Sequence, residues 1–79
     1  MLQVLISAVT VKKSLTINVS RGELSASKAI LLGASGERLK NFSLGDQQNV
    51  LSLDEFQSGV YALRVESGAE VIVRQIVIP

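Results

Sequence analysis

The stretch Gly59-Val60-Tyr61-Ala62-Leu63-Arg64-Val65, followed by the turn Glu66-Ser67-Gly68-Ala69 and by Glu70-Val71-Ile72-Val73-Arg74-Gln75-Ile76-Val77-Ile78, decides the fold. Tyr61, Leu63 and Val65 alternate with Val60, Ala62 and Arg64, the period of two that places successive side chains on opposite faces of a strand. A glycine inside a four-residue polar turn then folds a second strand back on the first. That last strand carries aliphatic residues on both faces, so it is expected to be flanked rather than fully exposed. Pro79 at its end has no N–H with which to extend a ladder.

Working back from this hairpin, the same signals recur in short segments. Residues 2 to 11 are β-rich with imperfect alternation and read as a first strand. Lys12-Lys13-Ser14 supplies a polar turn, and Leu15-Thr16-Ile17-Asn18-Val19 alternates cleanly, putting Leu15, Ile17 and Val19 on a buried face. Ser20-Arg21-Gly22-Glu23 reads as a turn. Leu24 to Lys28 is compatible with a helical turn, but Ile30-Leu31-Leu32 favours entry into a third strand. Gly33-Ala34-Ser35-Gly36-Glu37 is a hairpin loop answered by Arg38-Leu39-Lys40-Asn41-Phe42. After a loop at Gly45 to Asn49 comes a short strand, Val50-Leu51-Ser52-Leu53. Asp54 to Gly59 then looks like a single helical turn, with Asp54 as its cap and Phe56 folded onto the core. About seven short strands with a turn signal every eight to twelve residues give an all-β chain. The expected architecture is an immunoglobulin-like antiparallel β-sandwich of three and four strands, forming a single domain over residues 1–79.

Composition narrows the function. A chain of 79 residues buries only about 60% of its unfolded surface. With 47% apolar residues but two Phe, one Tyr and no Trp, its core must be aliphatic. Eight basic against seven acidic residues, with no basic run longer than Lys12-Lys13, lack the electrostatic footprint of a nucleic-acid binder. Cysteine and histidine are both absent, which removes disulfides, thiolate metal sites and the usual neutral-pH general base. Met1 to Val11 is broken by Gln3, Ser7 and Thr10 with no positive residue ahead of it, so it reads neither as a signal peptide nor as a membrane span.

Two possible chemical motifs lack the context that their chemistry needs. Gly33 and Gly36 are separated by two residues and lead into a strand, whereas a phosphate-binding loop needs four residues, a Gly-Lys-Ser/Thr exit and a helix. Asp46, Asp54 and Glu55 offer carboxylates, but not the complete acid, base and oxyanion constellation that catalysis requires. No catalytic residue, metal site or cofactor is expected.

The residues also carry a family resemblance. Gly59-Val60-Tyr61 followed by Arg64-Val65, ahead of a last strand, resembles the type A C-terminal sorting domains of the Bacteroidetes type IX secretion system. Leu15-Thr16-Ile17 is similar to that family's opening strand. Leu32-Gly33-Ala34-Ser35-Gly36-Glu37-Arg38-Leu39 stands where the family has a Tyr-Asp-x-x-Gly hairpin, with the turn glycine kept and the tyrosine and aspartate replaced. Leu51, Leu53, Phe56, Gly59, Val60 and Tyr61 match its Leu-x-Leu-x-x-Leu-x-x-Gly-Val-Tyr pattern. The ending Arg74-Gln75-Ile76-Val77-Ile78-Pro79 departs from the family's Lys-x-Val-Lys-like close.

The resemblance implies a non-enzymatic C-terminal module of a larger protein. The cargo would be exported to the periplasm by its own signal and carried by the type IX machinery across the outer membrane to the cell surface, where a sortase-like peptidase removes the domain in many members. The alternative is a domain that is not cleaved and serves as a docking or oligomerisation module, including a homodimer through edge strands. An apolar last strand suits recognition by strand addition, with Gly59, Tyr61, Arg64 and Arg74 as the candidate readout residues. Gly59 and Tyr61 also have a purely structural explanation, in turn geometry and core packing.

Overall fold

The computed structural model describes residues 2–21 and 27–79, which contain seven strands and no helix. The strands are β1 (Gln3–Ile6), β2 (Ser14–Arg21), β3 (Ser27–Leu32), β4 (Arg38–Ser43), β5 (Gln48–Ser52), β6 (Gly59–Ser67) and β7 (Glu70–Ile78). They form a three-stranded sheet in the order β1-β2-β5 and a four-stranded sheet in the order β4-β3-β6-β7, with every pairing antiparallel. The chain crosses between sheets three times, after β2, β4 and β5, the Greek-key wiring of an immunoglobulin-like sandwich. The shortest extent of the Cα trace is 16 Å, enough for two sheets about 10 Å apart and no third layer.

Alternation explains the core. Leu15, Ile17 and Val19 of β2 and Leu51 of β5 face Ala29 and Leu31 of β3, Leu63 and Val65 of β6, and Ile76 and Ile78 of β7, all buried in one cluster. Half-buried Phe42, Phe56 and Tyr61 pack against its margin, so the aliphatic core expected from composition is the one that forms. Where the chain crosses from β2 to β3, Ser27 and Ser67 are buried, and the hydroxyl of Ser27 donates to that of Ser67 at 3.0 Å. Ile30 is fully buried but outside the core cluster; the register sets it between Asn41 and Arg64 on the outer face of the four-stranded sheet.

Local expectations are corrected at four places. The first strand ends at Ile6 rather than running to Val11, because the Ser7 hydroxyl accepts the Thr16 N–H at 2.9 Å and stands in for the next rung of the ladder. Ser20 and Arg21 continue β2 instead of turning. Of the helical turn considered at Leu24 to Lys28, Ser27 and Lys28 are strand, while residues 22–26 lie outside the described residues. The segment Asp54 to Gly59 is a β-turn closed by Phe56 N–H donating to the Leu53 carbonyl at 3.1 Å, with no helix. Fully buried Leu53 is also held by its own N–H on the Lys13 carbonyl at 2.8 Å, which fixes the crossing before a second helical bond can form. The Asp54 carboxylate accepts the Ser52 hydroxyl at 3.1 Å.

The closing hairpin is tighter than a four-residue turn: Gly68-Ala69 alone joins β6 to β7. Gly68 has φ = 60° and Ala69 has no positive φ, the pattern of a type II′ turn with glycine at its first central position.

Candidate functional site

Gly59, Tyr61, Arg64 and Arg74 all lie on the β6–β7 hairpin, but on different sides of it. Gly59 opens β6 with φ = 156°, an extended backbone on the positive side that glycine adopts without strain. A Cβ there would meet only Tyr61 Cε1, at 3.7 Å, so the demand is on the backbone rather than on space. Two residues on, the Tyr61 hydroxyl reaches back to donate to the Gln57 carbonyl at 2.7 Å, and its ring meets Phe56 edge-on at 6.2 Å. This is the tyrosine corner of immunoglobulin-like sandwiches, a tyrosine near the start of the sixth strand that ties down the loop before it. The Gly-Val-Tyr motif thus has a physical explanation: the glycine lets the chain enter the sheet, and the tyrosine fixes the crossing that precedes it.

Arg64 points to the outer face. Its Nε donates to Glu66 Oε2 at 2.6 Å, and Lys28 Nζ lies 3.5 Å from Glu66 Oε1. The bond from Arg64, then the charges of Lys28 and Arg64, hold the Glu66 carboxyl below its usual value of 4.5 against the opposing effect of burial. A depressed carboxylate pKa adds stability above the unfolded value, and that stability is lost as pH falls through the folded value. Glu66→Gln should therefore lower stability at pH 7 and flatten its decline below about pH 4.5, as read from urea midpoints across pH; an unchanged acid limb would show that Glu66 does not contribute.

Arg74 sits on β7, the outermost strand of its sheet. It is paired with core residue Leu63, so its side chain leaves from the inner side of the sheet, and Nη1 returns to donate to the Val73 carbonyl at 3.1 Å. Arg64 is registered with Val73, so the two arginines stand on opposite faces.

Beside Arg74 a groove of about 760 Å³ runs between β7 and the segment from β1 to Val9, lined by residues including Val4, Ile6, Val9, Arg74, Ile76 and Pro79. On the outer face the β7 valines are open to solvent, Val73 to 51% and Val77 to 60%, with Val60 of β6 beside Val77. The last strand was expected to be flanked; it is flanked on its inner face only. The exposed valines and the groove are the parts of the surface that residue motifs did not single out, although aliphatics on both faces of β7 were the signal. Among the described residues, no three carboxylates come together in a way that could hold a metal ion.

The fold is an immunoglobulin-like sandwich in which the β7 edge pairs with no further strand among the described residues. The profile of the secretion-system C-terminal sorting domains matches residues 8–79, nearly the whole chain, and the chain belongs to that family. It is a C-terminal sorting signal of the type IX secretion system, which implies an attached N-terminal cargo and a route across the outer membrane. No curated protein matches the chain.

Proposed function

We propose that the domain accompanies its cargo through the periplasm as a folded signal, is read by the type IX machinery at the β6–β7 hairpin, and is delivered with the cargo to the cell surface. The observation that supports this reading is the outer edge of β7, which pairs with β6 on one side and with no further strand among the described residues on the other, and which has exposed valines on one face and a groove on the other. Such an edge is costly to leave open unless something pairs with it. In this reading Gly59 and Tyr61 keep the shape that is read, Arg74 contacts the partner at the edge, and Arg64 belongs to the outer face.

A reporter with a periplasmic signal at its front and residues 1–79 at its back, expressed in Bacteroidetes hosts with and without a working type IX system, tests the proposal. Surface reporter in the competent host alone is the expected result. Reporter held in the periplasm of both hosts, with the domain folded, would overturn it. The mass of the surface product distinguishes removal by a sortase-like peptidase from retention as a docking module.

A further inference from the structure

The hydrogen-bond directions of β7 follow from its turn. A two-residue loop makes Ser67 and Glu70 the hydrogen-bonded closing pair, and such pairs alternate along an antiparallel ladder. Ile72, Arg74, Ile76 and Ile78 therefore turn their N–H and C=O groups toward β6. Val71, Val73, Gln75 and Val77 turn theirs outward, along the free edge. The Arg74 guanidinium agrees with this, since it reaches the outward Val73 carbonyl.

Arg74 is also the midpoint of the strand, the fifth of nine residues from Glu70 to Ile78. If two copies paired their β7 edges antiparallel over the full length, Val73 would bond with Gln75 and Val71 with Val77. Arg74 would then face Arg74 in a pair of the closer, non-hydrogen-bonded kind, with Cα atoms about 4.5 Å apart. Like charges directly opposite each other destabilise a sheet. A slip by one residue turns the side chains to the wrong face, and a slip by two gives up a hydrogen-bonded pair. The same residue that hinders self-pairing would welcome a carboxylate, and among the described residues it is the one ionisable side chain lining the groove against β1.

We propose that the free edge of β7 docks an extended segment of another protein bearing a carboxylate opposite Arg74, whose inward side chains enter the groove beside β1. The proposal rests on the reading of β7 as the recognised edge and adds the chemistry of what binds there. Arg74 acts twice: alone, it covers the Val73 carbonyl and keeps copies apart; on docking, it exchanges that carbonyl for the partner's carboxylate. A second copy of this chain is thereby disfavoured as the occupant.

The chain itself supplies a probe of the right chemistry. The Arg74→Glu variant presents the same strand with a carboxylate at its centre, so native chain mixed with the variant should form a one-to-one dimer. That dimer should be roughly fivefold more populated than either chain's own, measured by sedimentation, with slowed amide exchange at Val71, Val73 and Val77. A synthetic peptide of residues 70–78 carrying Arg74→Glu should bind the native chain with a similar advantage over the unchanged peptide, which keeps the test independent of how the variant folds. Equal or stronger self-association of the native chain, protection on β1 or β4 instead, or no difference between the two peptides would overturn the proposal. The assay contains no secretion machinery, so its outcome is separable from that of the reporter experiment.

Discussion

Leu63→Ala should cost about 2–5 kcal/mol, the usual range for emptying a fully buried leucine site. Leu63 lies near the middle of β6, registered with Leu31 on one side and Arg74 on the other, and faces β2 across the sandwich. For 79 residues the whole stability is about 4–12 kcal/mol, so this single truncation takes a large share of it. Few neighbours can collapse into the space, because the surrounding side chains are branched aliphatics held by two sheets. Urea unfolding should show a much lower midpoint with a similar slope, and an attached reporter should lose export because the edge to be read is no longer held in one shape. Leu39→Ala, at a site 39% exposed on β4, is the control and should change little. A Leu63→Ala domain as stable as the native one would mean that the two sheets do not pack as described.

The hairpin and β2 could be read from the sequence because their alternation is local and uninterrupted, and Leu15, Ile17, Val19, Leu63 and Val65 are buried as that alternation requires. The end of β1 could not be read, since it depends on Ser7 meeting Thr16 across the sheet. Nor could the turn after β5, which depends on Leu53 being held by Lys13, 40 positions earlier. The edge position of β7 was hidden for a different reason: valine and isoleucine on both faces are what a central strand would also show, and only the sheet order separates the two cases. The site was legible in part. Gly59 and Tyr61 read as structural, and the tyrosine corner supplies the reason. Arg64 and Arg74 look equivalent by their even numbers, yet the register pairs Leu63 with Arg74 and so sends the two arginines to opposite sides.

The adjacent pair Val77 and Ile78 separates holding the fold from being read. Ile78 is 1% exposed and registered with Gly59 in the core layer, whereas Val77 is 60% exposed beside Val60 on the outer face. Ile78→Asp removes the buried side chain, worth about 2–5 kcal/mol, and sets a carboxyl where its charge is unsolvated. Burial raises the pKa of such a group, so the electrostatic part of the penalty is absent below the unfolded value near pH 4 and grows as pH rises through the folded value. The variant should therefore be markedly unstable at pH 7 and recover part of the loss at pH 4. Val77→Asp changes a solvated position and should leave stability within about 0.5 kcal/mol. Its effect should appear in recognition instead, because the new charge replaces an apolar contact and repels a partner that brings its own carboxylate to Arg74. Carried on the secreted reporter, Val77→Asp should fold normally and be exported poorly, while Val77→Lys should be exported better than Val77→Asp. Native-level export of folded Val77→Asp would take the outer valine face out of the recognised surface and leave the groove side of β7 to carry it.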